Sequence, residues 1–337
     1  MQRAKESGPK GAGGDSGRFG WRVALALLAT YVCFGSGTVG IKAVLDSLPP
    51  LVAMASRGVL AGAVLFAWSI WSGAPWPSWR QALACSGIGT LMLALGAGVS
   101  TVGQRTVAAG LAGVLAATMP LFAACIGYLL FREQFSKRTL FGLLLGFAGV
   151  GLLLHSAGDF NLLGVSLVVA GQFFWALGAV LAPKLGLPDD PRLTAGAELL
   201  GGGIVLLIAA TIRGEVAGLH LAAVSLMSWM GFAWLAITAI VGFTAYGFLV
   251  TAVATSISST FSYVNPIVAV GLGWLLFSEP VSFWTVAATA VVVAGVCLIV
   301  SAGSESRPAH HPLTSGHRHG RAHFPAPALP REEAQPP

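Results

Sequence analysis

Two ionisable residues stand inside long apolar runs: Arg57 in V-A-M-A-S-R-G-V-L and Glu198 in T-A-G-A-E-L-L-G-G-G. At the centre of a bilayer such a charge costs about 2.5–3.5 kcal/mol on insertion scales, so each needs a partner or a wet cavity. Glu198 could bind a cationic solute group or carry a coupling proton. A structural polar contact or an interfacial anchor is the plainer alternative. A direct Arg57–Glu198 ion pair is compatible with their matching places in the chain. Lys42 and Lys184 close two further apolar runs. Lys42 is a third candidate intramembrane charge, although both lysines fit the role of anchors that snorkel to the interface.

A polar stripe accompanies these charges. Ser259, Ser262, Tyr263 and Pro266 fall at i, i+3, i+4 and i+7, on one face of a helix. Pro266 removes one backbone hydrogen bond and bares a carbonyl, and Pro120 repeats the motif upstream. Gln172 and Trp175 share a helical face, and Tyr246 lies in a later run. A cavity lined by aromatic rings and an amide suits small amphipathic organic solutes rather than bare ions. Helix packing would account for any one of these residues taken singly.

The sequence carries no G-x-S-x-G, H-E-x-x-H or Walker pattern, and no catalytic residue, cofactor or metal site is expected. His310, His311, His317, His319 and His323 sit in a Pro-rich tail with irregular spacing, which reads as compositional bias. Cys33, Cys85, Cys125 and Cys297 each lie in an apolar run without a C-x-x-C pair and read as packing residues.

The elements that must position these groups are helices in lipid. Of 337 residues, 55% are hydrophobic and 9% charged, against about 25% charged in a soluble domain. Nucleic acid is not an expected partner, because the basic residues cluster at segment ends and in the tails. Ten apolar runs approach the roughly 20 residues that cross hydrocarbon: 22–43, 50–71, 82–102, 107–131, 139–155, 161–183, 193–212, 228–250, 256–277 and 283–302. The weakest interruption is Gly103-Gln104-Arg105-Thr106. Residues 1–20 and 303–337 read as disordered tails. The first run is long enough to span and reads as an uncleaved helix rather than a signal peptide.

Residues 120–139 and 266–285 match at nine of twenty positions with a constant offset of 146, including Pro120/Pro266, Gly127/Gly273 and Glu133/Glu279. This is an internal duplication, dividing the chain into repeats at 22–156 and 161–302. Each repeat has five spans, so the second must enter the membrane from the opposite side, an arrangement that supports alternating access. Ser136 and Ser282 are expected to cap the helices that follow them, with Glu133 and Glu279 favouring those same N-termini. With ten spans and a cytoplasmic N-terminus, fifteen of nineteen Lys and Arg fall inside, three outside, and Arg57 within a span. The positive-inside rule therefore favours both termini in the cytoplasm.

The stretches A-S-R-G-V-L-A-G (55–62), A-G-L-A-G-V-L-A-A-T-M-P-L-F (109–122), T-A-G-A-E-L-L-G-G-G (194–203) and S-S-T-F-S-Y-V-N-P-I-V-A-V-G-L-G-W-L-L-F-S-E-P (258–280) resemble the drug/metabolite transporter superfamily. The similarity is to ten-helix exporters built from two EamA-type repeats. It implies an all-α inverted-repeat membrane fold in a bacterial inner membrane. It also implies efflux of amino acids, metabolites or drugs, with a small-molecule substrate, lipid and protons as the candidate partners. A channel or structural membrane protein without alternating access is the alternative. The first helix departs from the pattern at Tyr31-Val32-Cys33-Phe34-Gly35, where many relatives carry Trp-Gly, so its cavity wall should differ.

Overall fold

The computed structural model describes residues 15–132, 136–156, 161–253, 257 and 260–305. Ser259, Glu133 and the His-rich tail lie outside these. The described part forms ten apolar helices: α1 Gly20–Val44, α2 Pro50–Trp71, α3 Trp79–Gly103, α4 Ala109–Phe131, α5 Lys137–Ser156, α6 Leu162–Lys184, α7 Pro191–Ile212, α8 Leu226–Ala252, α9 Phe261–Phe277 and α10 Phe283–Glu305. Eight are long and apolar enough to cross a bilayer by length and composition, and α9 is shorter. Ile208, Ile212, Leu129, Leu144, Trp274 and Leu275 are exposed. Apolar side chains on that scale are tolerated outside a bundle only where lipid covers them.

Three helices are irregular. α1 breaks at Ser36, whose hydroxyl bonds the Val32 carbonyl (2.6 Å) and accepts from Trp234 Nε1 (2.9 Å). α4 breaks between Ala116 and Met119, just before Pro120, which cannot supply the N–H that a continuous helix needs. α3 is π-helical over Thr90–Gly98, a widened turn that often marks functional positions.

The two repeats partner each other as a two-fold relation demands. α2 packs on α7, α4 on α9 and α5 on α10, each helix against its own counterpart. Further contacts between the repeats come in swapped pairs: α1–α8 with α6–α3, α1–α9 with α6–α4, and α2–α8 with α7–α3. The counterparts run antiparallel. Along α2, Gly58 faces Gly203 and Phe66 faces Gly196. Along α5, Gly142 faces Ile299 and Gly149 faces Val292. Small residues at these crossings let the backbones approach, which is how helices associate in lipid. The inverted repeat expected from the odd span count is therefore the observed architecture.

Candidate functional site

α7 is launched by Asp190 and Pro191. The Asp190 carboxylate accepts from the Arg192 (2.8 Å) and Leu193 (3.3 Å) backbone N–H groups and pairs with the Arg192 guanidinium at 2.9 Å. The Arg192 side chain, followed by the backbone donors, holds the Asp190 carboxyl below its ordinary value, against an opposing push from partial burial. A depressed carboxylate stabilises the fold above its unfolded value, and that contribution is lost as pH falls through the folded one. Asp190→Ala should cost about 1 kcal/mol, Asp190→Asn only a few tenths. Thermal melts of the purified protein would show both losses, and the loss for Asp190→Asn should vanish as pH drops below the ordinary aspartate range, where Asp190 itself is protonated.

About two turns past this cap, Glu198 lines a cavity of ≈ 20 Å³. Arg57 enters it from α2, Gly89, Met92 and Leu93 from the start of the π-helical stretch of α3, Trp175 from α6, Leu199 from α7 and Phe243 from α8. Its volume suits a water molecule rather than an organic solute.

The electrostatics are unusual for so apolar a bundle. Arg57 Nε donates to the Leu235 carbonyl (3.2 Å) and Nη1 to Met54 Sδ (3.6 Å), so that two of the five guanidinium donors have partners among the described residues. Glu198 accepts no hydrogen bond among the described residues, and no Arg57–Glu198 ion pair forms. Two opposite charges thus line one small cavity, neither neutralised by the other.

Phe243 extends the cavity wall into an aromatic cluster. Its ring lies 5.9 Å from Phe34, which lies 5.2 Å from Phe261. Tyr246 sits 5.5 Å from Phe261, so this residue adjoins the cavity through the cluster. Gln172 is half-buried on α6 and does not line the cavity. Lys42, in the last turn before the α1–α2 connection, does not line it either.

The α9 stripe goes elsewhere. Tyr263 packs into the apolar cluster of Leu121, Leu143 and Val292 between α4, α5 and α10. Ser262 is half-buried and Pro266 buried inside a continuous helix. Pro120 follows the α4 break. The charged cavity is built by α2, α3, α6, α7 and α8. Met92, Leu93 and Phe243 carried no sequence signal beyond their apolarity, because the π-helical turn that aims the α3 residues has no local signature.

Of the two duplicated acids, Glu279 differs from expectation. Ser136 and Ser282 do cap α5 and α10, accepting from Thr139 and Thr285 N–H at 3.0 and 3.1 Å. Glu279 does not serve α10. Its carboxylate takes the Ala109 and Gly110 N–H groups at the start of α4, at 2.7 and 2.8 Å. Gly273 and Gly110, both lacking a Cβ, leave the room it occupies.

Two antiparallel five-helix repeats closing on a charged intramembrane cavity define an inverted-repeat membrane transport protein. The chain belongs to the EamA-like transporter family, whose model matches residues 21–155 and again 162–301. It is 36% identical to an uncharacterized inner membrane transporter, YedA, of Escherichia coli strain K12, over 81% of this chain and 89% of the relative. It is 23% identical to an uncharacterized transporter, YvbV, of Bacillus subtilis strain 168, over 82% and 91%. A crystal structure of a protein 18% identical shares the fold with a TM-score of 0.59, covering 84% of this chain and 97% of that one.

Proposed function

We propose that this chain is a secondary transporter that exports small amphipathic organic solutes across a bacterial inner membrane by alternating access. Residues 22–156 and 161–302 act as the two moving repeats, with residues 1–20 and 303–337 as cytoplasmic tails. The observation that carries this reading is that Arg57 and Glu198 line one small cavity with no ion pair between them among the described residues, where repeats of opposite direction meet. A carboxylate that accepts no hydrogen bond among the described residues, in a bundle surrounded by lipid, calls for a partner that comes and goes. Trp175 and Phe243 supply flat apolar surface for the rest of the solute, and Tyr246, Gln172 and Ser262 become available as the cavity widens. The solute gradient or the proton-motive force drives the cycle, with Glu198 as the coupling carboxylate. The inner-membrane assignment follows the name of the Escherichia coli relative. The excess of Lys and Arg in the even-numbered connections supports cytoplasmic termini.

The test is a resistance screen over metabolites and organic toxicants in cells expressing the chain, followed by counterflow of each hit in proteoliposomes. An internal pool of unlabelled solute should accelerate uptake of labelled solute, and flux should saturate. Flux that rises linearly with concentration and ignores the internal pool would assign a channel instead.

A further inference from the structure

At one end of the bundle, the end bearing the 104–108, 213–225 and 278–282 connections, three acids of this chain tie one repeat to the other. Glu279 of the second repeat caps α4 of the first through Ala109 and Gly110. Glu215 of the second repeat caps α2 of the first through Leu51 (2.9 Å) and Val52 (3.2 Å) N–H. Asp46 of the first repeat accepts from the hydroxyl of Ser225 of the second. The opposite end is joined differently among the described residues: Lys184 Nζ lies 4.9 Å over the Phe131 ring, and the Arg192 guanidinium 5.3 Å over Trp68. The helix N-terminus offers orphan donors and partial positive charge, so a carboxylate held there by two short bonds is a firm tie. An exposed cation over a ring is a weak one.

Glu279 is the most closely fitted of the three. A Cβ on Gly273 would lie 2.6 Å from its Oε2, and one on Gly110 would lie 3.3 Å from the same atom. The seat for the carboxylate thus depends on a glycine from each repeat. The Glu279 backbone N–H bonds the Gly273 carbonyl (3.2 Å) as α9 ends at Ser278 in the left-handed region (φ 53°). This fixes the side chain on the last turn of α9. Any conformer that opens this end must part the last turn of α9 from the first turn of α4, and so must release the carboxylate.

We infer that Glu279 is a gating residue of the transport cycle: its bond to the α4 N-terminus latches this end shut, and its release opens it. The inference rests on the alternating-access reading above. Two variants remove the latch in different ways. Glu279→Gln takes away the charge and one acceptor, and Gly273→Ala keeps the carboxylate but displaces it from its seat. Each is made in the full chain with the four cysteines replaced and one reporter cysteine added. One reporter is Val107→Cys, buried beside α4 at the latched end; the other is Met92→Cys, in the cavity wall. In proteoliposomes of defined orientation, a membrane-impermeant maleimide added on the side of the latched end reads Val107→Cys, and the same reagent added on the opposite side reads Met92→Cys. Both variants should label about tenfold faster at Val107→Cys and more slowly at Met92→Cys. Both variants should still melt cooperatively, Gly273→Ala at a lower temperature than the parent because its Cβ would also lie 3.2 Å from the Gly110 backbone nitrogen. Unchanged labelling at Val107→Cys in a folded Gly273→Ala protein overturns the latch and leaves the transporter reading standing. Faster labelling at both reporters upholds the latch and removes alternating access instead.

Discussion

Glu198→Gln is expected to lower solute flux through reconstituted protein by about 10- to 100-fold while leaving its melting temperature unchanged or higher. The two halves of this result have separate causes. In the structure Glu198 takes no hydrogen bond from the protein among the described residues and forms no ion pair with Arg57. Replacing it removes no hydrogen bond or ion pair found among the described residues, and the amide spares the bundle a charge that lipid penalises by about 2.5–3.5 kcal/mol. If Glu198 were a structural contact, the amide would destabilise the fold, because a buried partner would be left unsatisfied. If it holds a cationic group or a proton of the transported species, the loss appears in transport alone. A charged hydrogen bond is worth about 1.5–3 kcal/mol, which corresponds to the stated range. Counterflow rates and thermal melts on one preparation separate the outcomes. A stable variant with parental flux would remove Glu198 from the mechanism.

This contrast also explains what was legible in the sequence. The ten spans, the two repeats and their inversion follow from apolar run length, a constant offset and an odd span count, and all concern the backbone in lipid. Glu198, Arg57 and Trp175 were visible because a charge or an indole inside an apolar run is costly or rare enough to notice. Their convergence was not visible, since it depends on helix rotation. The α9 stripe shows why: Ser262 and Tyr263 have the spacing of a cavity wall, yet Tyr263 faces Leu121 and Val292. In a bundle surrounded by lipid, polar periodicity fixes which residues share a face, while the neighbours decide what that face meets. Glu279 teaches the same lesson. An acid just before a helix reads as that helix's own cap, but antiparallel repeats bring another N-terminus closer, and the glycines at 110 and 273 make the seat.

The position of Glu198 itself depends on one glycine, and Gly89→Ala is expected to abolish most of the folded yield. A Cβ at residue 89 would overlap the Glu198 carbonyl oxygen and lie 2.7 Å from its carbonyl carbon and 3.0 Å from its Cα. One turn of α7 further on, a Cβ at Gly202 would overlap the Gly89 carbonyl. Both obstacles are backbone, so no rotamer change relieves them, and α3 must move off α7. Overpacking of this kind costs about 1–3 kcal/mol and occasionally more. Helix propensity pulls the other way, since alanine in place of glycine gains about 1 kcal/mol in a helix interior. Gly87 measures that opposing term on the same helix, because a Cβ there meets nothing within 4 Å. Gly87→Ala should therefore melt at the parental temperature or above it, while Gly89→Ala should elute as aggregate or melt well below. Equal stability of the two variants would mean that α3 and α7 do not cross at this point. Glu198 would then lose the backbone contact that sets its carboxylate opposite Arg57. Any surviving Gly89→Ala protein should accordingly lose flux out of proportion to its stability, because the displaced segment is the one that carries the charge.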